Sequence, residues 1–310
     1  MSPAPLPSFA GGVGLALSAH SLLTLNGSVF GISGFLHRAV KGNPEALIGV
    51  SALLIGGFVV GKLENVGPRL VSTSLLPLLA SGFLVGVGTK LGNGCTSGHM
   101  LCGLSRLSTR SVVATATFFT TASITTYLYH RSIPVAETMQ NGLGTDDTTL
   151  LAASAVSLLI AWTASYLTPS SSPPQEASAV PRLPVQFFTA ASFAFSLRVS
   201  KLVDPQRVLS FLLLPFHSAF DPSLVYLALG ALPLLSILYH KGAQKICSSQ
   251  GVDGRLVLGA ALFGVGWGME GICPGPGLVN LGQAVATGSG VQPLVAWIAA
   301  VVAGGLMVPS

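Results

Sequence analysis

Nine apolar stretches dominate this chain: residues 8–25, 44–62, 74–92, 108–130, 149–167, 185–203, 222–240, 252–272 and 291–309. Each is close to the roughly 20 residues that an α-helix needs to cross a hydrocarbon core. The runs are continuous rather than alternating, which excludes the wall of a β-barrel. Charge agrees with lipid as the solvent. Only 8% of the 310 residues are charged, against about 25% in soluble domains. In a bilayer, backbone groups must be satisfied inside helices and polar side chains are costly.

Four shorter apolar pieces lie between the long ones, at 27–40, 95–107, 205–217 and 276–288, each after a Gly, Asp or Pro break. They have the grammar of re-entrant or interfacial half-helices. The layout repeats, with two short pieces in each half. Gly86-Val87-Gly88 precedes Cys95 by the spacing at which Gly264-Val265-Gly266 precedes Cys273. The expected architecture is therefore an all-α polytopic membrane protein with about nine transmembrane helices and four short re-entrant helices. Residues 1–130 form a first repeat unit and 185–310 a second. Residues 131–184, with the linker TPSSSPPQEASAVPRLP at 168–184, connect them. One extra span between the units inverts the second relative to the first, which places a site near the midplane. Nine spans put the termini on opposite faces, and a slight excess of basic residues on the linker's side gives N-out, C-in.

The net charge of +5 does not indicate nucleic acid, because the basic residues are scattered singly between apolar runs. The start, MSPAPLPSFAGG, carries no basic region of the kind that opens a cleaved signal peptide. Four cysteines, Cys95, Cys102, Cys247 and Cys273, do not make a secreted disulfide framework.

Two cysteines stand where helices break. In Gly92-Asn93-Gly94-Cys95-Thr96-Ser97-Gly98-His99 the glycines end a span and the following residues open a short helix. Free amides at such a start favour an anion, and Thr96 and Ser97 add hydroxyls that serve as donors or as plain caps. In Gly271-Ile272-Cys273-Pro274-Gly275-Pro276-Gly277 the prolines and glycines are expected to hold the backbone open. Open backbone at membrane depth is tolerated only where protein buries it or it lines a cavity. Cys95, His99 and Cys102 fall on one helix face, and with Cys273 they have the donor types of a zinc site. Packing explains the same spacing, so neither metal nor other cofactor is expected, and Cys247 is taken as incidental. Lys90 and Glu270 are charges inside apolar segments, where charge signals function. Lys90 is suited to attract an anion, to pair with Glu270 or to snorkel to an interface. No GxxxxGK[ST] motif for ATP occurs.

The strings NGSVFGISG at 26–34, GVGTKLGNGCTSGH…CG…R at 86–106, DPQRVLSFL at 204–212 and GVGWGMEGICPGPG at 264–277 resemble the YeeE/YedE sulphur-transport family of inner-membrane proteins. The resemblance implies an hourglass-shaped fold with inverted repeats, and thiosulfate uptake past cysteines near the constriction. Cys95 and Cys273 fall on the family's motif cysteines. The expected function is then transport of a small sulphur-containing anion through the bilayer, not catalysis, with a cytoplasmic sulphur-accepting protein as a possible partner. The competing expectation is a membrane sulfurtransferase or redox protein with Cys95 as nucleophile.

Overall fold

A computed structural model describes residues 4–71, 74–130, 143–167, 182–215, 217–241 and 251–309. Cys247 and linker residues 168–181 lie outside the described residues. The described chain is all helical: α1 (Pro5–Asn26), α2 (Ile32–Val40), α3 (Pro44–Glu64), α4 (Leu75–Leu91), a π-helix (Thr96–Gly103), α5 (Thr109–Tyr129), α6 (Thr145–Leu167), α7 (Leu183–Val199), α8 (Pro205–Leu212), α9 (Ser223–Lys241), α10 (Gly254–Glu270), α11 (Pro274–Thr287) and α12 (Val291–Leu306).

Every expected span falls on a helix, but not every such helix is a span by length and composition. Five helical stretches are long and apolar enough: α1, α3, α6, α9 and the pair Gly254–Thr287. Leu75–Leu91 with Thr96–Gly103, bent by 49° at its break, makes a sixth. The expected nine therefore includes helices that do not stand alone as spans. α7 and α12 have 17 and 16 residues, and α5 is rich in threonine. Packing explains how such helices persist. Thr117, Thr121 and Thr125 on α5 donate to carbonyls four residues back at 2.8–3.0 Å, hiding their hydroxyls. Most of α7 is buried, and its Ser192 and Ser196 bond Ser18 of α1 and Ser154 of α6. α6 is the opposite case, only 22% buried over its most apolar window, with Val156, Leu159 and Trp162 facing outward.

The central helices meet through glycine. α4 packs against α10 and α12, and α10 against α5. On α4, a Cβ at Gly86 would land on the Val301 carbonyl of α12, and one at Gly88 on the backbone of Phe263 in α10. On α10, a Cβ at Gly264 would land on the Phe118 carbonyl of α5, and one at Gly266 against Ser81 of α4. Small residues at these crossings let backbones approach closely, the main source of helix association in lipid. The register also fixes direction. Gly88 lies beside Gly259 and Phe263, while Gly266 lies beside Ser81 and Val85, so α4 and α10 run antiparallel.

One local expectation is corrected. The stretch from Cys273 to Gly277 does not stay open, because α11 begins at Pro274. Proline is well tolerated in a first turn, where its missing N–H would have no intrahelical partner anyway. The helix is then held against α3, with Val279 over Gly57 and Gly282 under Leu54.

Candidate functional site

Cys95 immediately precedes the π-helix with extended backbone, φ −127° and ψ −165°. Cys273 stands in the same relation to α11, with φ −95° and ψ 159°. Each is 2% exposed, and both belong to one apolar cluster with Trp267, Ile272 and Trp297. The two motifs touch. Thr96 Oγ1 donates to Cys273 Sγ at 3.5 Å, and Cys95 Sγ lies 3.3 Å from Ser97 Oγ. Ser97 Oγ also accepts the Ile32 amide at 3.2 Å, which brings in the start of α2. A Cβ on Gly275 would strike Ile32, so α11 closes the same junction.

Three helix starts thus converge on the cysteines. The first internal bonds are Phe35 N–H to Gly31 in α2, His99 N–H to Cys95 in the π-helix and Gly277 N–H to Cys273 in α11. The amides before them have no intrahelical acceptor, and aligned dipoles make such a cluster attractive to an anion. In α11 the prolines at 274 and 276 leave Gly275 as the amide donor of that first turn.

Two unlike cavities border this junction. On one side is a vestibule of ≈ 530 Å³ whose wall carries Arg38, Lys90, Arg106 and Arg110 and, among the described residues, no carboxylate. Gly94, Gly98 and His99 of the cysteine motif form part of its floor. On the other is a cavity of ≈ 70 Å³ that includes Cys95, Thr96, Ser97 and Cys273 but is otherwise almost wholly apolar, with Met100, Leu101, Phe193 and Phe211 among its lining. The cysteine layer is the partition between a cationic space and an apolar one.

Comparison with known proteins bears on what such a partition is for. Residues 182–309 match a family of unknown function, DUF6691. A "Probable transporter" of Xylella fastidiosa (strain Temecula1 / ATCC 700964) is 42% identical over 111 residues, which is 35% of this chain and 82% of the relative. Another "Probable transporter", of Xylella fastidiosa (strain 9a5c), is 33% identical over 138 residues, 40% of this chain and 86% of the relative. This chain belongs to the same family as these probable transporters. No solved structure matches it. With its long apolar helices, this transporter-family member is a multi-pass integral membrane protein.

The remaining candidate residues separate into those on the partition and those behind it. His99 lies on the vestibule wall, but its ring is held, Nδ1 by Ser111 Oγ and Nε2 by the Gly92 carbonyl, both at 3.1 Å. Cys102 lies in a different apolar cluster from Cys95, with the Tyr239 hydroxyl 3.5 Å from its Sγ. Among the described residues no group of three or more His, Cys, Asp or Glu is gathered to hold a metal ion. Lys90 opens onto the vestibule. Glu270, 1% exposed, lines neither of these two cavities. The two do not pair. In the antiparallel register of α4 and α10, Lys90 is level with the region of Gly259, about ten residues or 15 Å along the axis from Glu270. Of the arginines on the vestibule wall, Arg106 closes the motif at 86–106, whereas nothing local marks Arg38 and Arg110.

Proposed function

We propose that this protein carries a small sulphur-containing anion, thiosulfate being the best fit, between the vestibule and the opposite face, past Cys95 and Cys273. The observation that carries the reading is the pair of thiols at converging helix starts, between a cationic vestibule and an apolar cavity. Oxygens of the anion meet stronger donors at the thiols, the Gly275 amide and the Thr96 and Ser97 hydroxyls. Its terminal sulphur meets soft thiols that bind weakly enough to release it, as conduction requires. The resemblance to sulphur-transport proteins supports the same substrate class.

The packing supports two inverted repeats. Exchanging α4 with α10 and α5 with α12 maps the Gly86–Val301 contact onto Gly264–Phe118, and maps Gly88–Phe263 onto Gly266–Val85. The π-helix with Cys95 and α11 with Cys273 are then partners under the same exchange. With the N-out, C-in orientation, the vestibule opens to the cytoplasm, where a sulphur-accepting protein would meet the cargo. A sulfurtransferase with Cys95 as nucleophile has less support, since His99, the nearest base in sequence, is engaged by Ser111 and Gly92.

The direct test is uptake of labelled thiosulfate by proteoliposomes, with sulfate, sulfite and selenite as competitors. Saturable uptake that sulfate slows without itself being accumulated is expected. Persulfide on the purified protein with no uptake would instead favour the enzyme.

Lys90 gives a narrower expectation. Neutralising it as Lys90→Gln lowers the potential of a vestibule bounded by protein, so flux of a dianion falls severalfold and that of a monoanion less. The gap narrows at high salt, as a screened field demands. Equal slowing of both ions, at any salt, would make Lys90 a packing residue.

A further inference from the structure

The vestibule floor carries a feature that the cysteine path does not use. α2 and the π-helix both start there, and each has glycine as its third residue, Gly34 and Gly98. Both glycines line the vestibule, and a Cβ built on either meets nothing within 4 Å. The two first turns therefore face the cavity with bare backbone, and the Gly34 and Gly98 amides precede the first internal bond of their helices. Ser33, beside Gly34, is 0% exposed and also on this wall, yet its hydroxyl has no hydrogen-bond partner. A buried hydroxyl is rarely left unmatched, because an unsatisfied donor has lost its water without replacement. The same wall carries Arg38 and Lys90 and, among the described residues, no carboxylate.

We infer that this floor is a separate oxyanion-holding subsite, in which Ser33 and the Gly34 and Gly98 amides bind the oxygens of a tetrahedral dianion such as sulfate. Arg38 and Lys90 supply the charge. The subsite rests on the transport reading for its purpose, but not for its existence. Its donors all address oxygen, so it treats sulfate and the sulfonate end of thiosulfate alike. Discrimination by sulphur is left to Cys95 and Cys273. Selection is thus divided in two: the floor sorts by charge and oxygen geometry, and the thiols sort by the remaining atom.

The experiment is equilibrium binding of labelled sulfate to the intact protein in detergent micelles, which needs no knowledge of transport or sidedness. Saturable binding that weakens with ionic strength is expected. Gly34→Val fills only open space, so the fold survives, but its side chain covers the amides and should weaken sulfate by about tenfold or more, the worth of one charge-assisted bond. Ser33→Ala should weaken it severalfold, and Arg38→Gln combined with Lys90→Gln should flatten the salt dependence. Cys95→Ser should bind sulfate as the parent does. No saturable sulfate binding, or binding that Gly34→Val and Ser33→Ala leave intact, overturns the subsite. Binding lost equally in Cys95→Ser merges it with the thiol site and overturns it too. If sulfate binds as expected while thiosulfate is not taken up in proteoliposomes, the subsite stands and the transport reading falls.

Discussion

Replacing Cys95 with serine is expected to cut thiosulfate uptake by at least about tenfold, equivalent to about 1.4 kcal/mol at the constriction. Cys273→Ser should impair uptake strongly, and Cys247→Ser should behave as the parent. Serine keeps a donor and most of the volume, so the fold should persist around it. At position 95, however, a hydroxyl would bond Ser97 Oγ, now 3.3 Å from the sulphur, more tightly than the thiol does. The soft contact to a passing sulphur disappears with that exchange. Cys102→Ser should fall between, since Cys102 packs beneath Tyr239 rather than at the partition. Small thiol reagents should block uptake, and excess substrate should protect Cys95. A well-folded Cys95→Ser protein with full uptake would leave a hydrogen-bonding anion path with no role for sulphur contact.

Arg207 carries the largest expected effect on stability. Its side chain is almost fully buried, 2.5 Å from Asp221 and 3.8 Å from Asp204, and its guanidinium also reaches Ser223 Oγ at 3.2 Å. Ser223 in turn accepts the Ala4 amide, so one arginine ties α8, the start of α9 and the chain before α1. Removing one partner of a buried pair strands the other, at about 3–5 kcal/mol. Arg207→Met, which leaves two buried aspartates together, should therefore yield little monodisperse protein in detergent. Arg207→Met combined with Asp221→Leu should recover part of the loss, because a matched apolar pair strands less charge. The effect should reach the site as well, since the Pro205 carbonyl of α8 presses on Gly271, two residues before Cys273. A single Arg207→Met variant with unchanged thermal stability would show the pair to be ornamental.

What the sequence discloses here is what is local. Length and apolarity lie within each segment, so all nine long stretches and all four short ones coincide with helices. Glycine breaks beside Cys95 and Cys273 are local too, and they locate both helix starts. Span count is less legible, since α5 and α7 hide polar groups that only their hydrogen-bond partners explain. The prolines after Cys273 read as an opening because their cost inside a helix is better known than their fitness at its start. The Lys90–Glu270 pairing failed for a geometric reason. Each charge lies near the end of its own helix, and antiparallel packing sends those ends apart. The cationic vestibule is the least legible feature, because Arg38 in α2, Lys90 in α4 and Arg106 in the turn before α5 share a wall only after packing.

The dryness on the far side of the thiols has a consequence for the membrane's energy supply. A cavity of ≈ 70 Å³ lined by leucine, phenylalanine and methionine offers water few of the two to four polar partners that a buried molecule needs. Apolar constrictions of this kind stay closed by dewetting. A continuous file of water would conduct protons, hopping along hydrogen bonds much faster than any anion moves. If the thiols lie on the proposed transport path, an apolar cavity that interrupts that file beside Cys95 and Cys273 would let the anion pass without short-circuiting a proton gradient across the same bilayer.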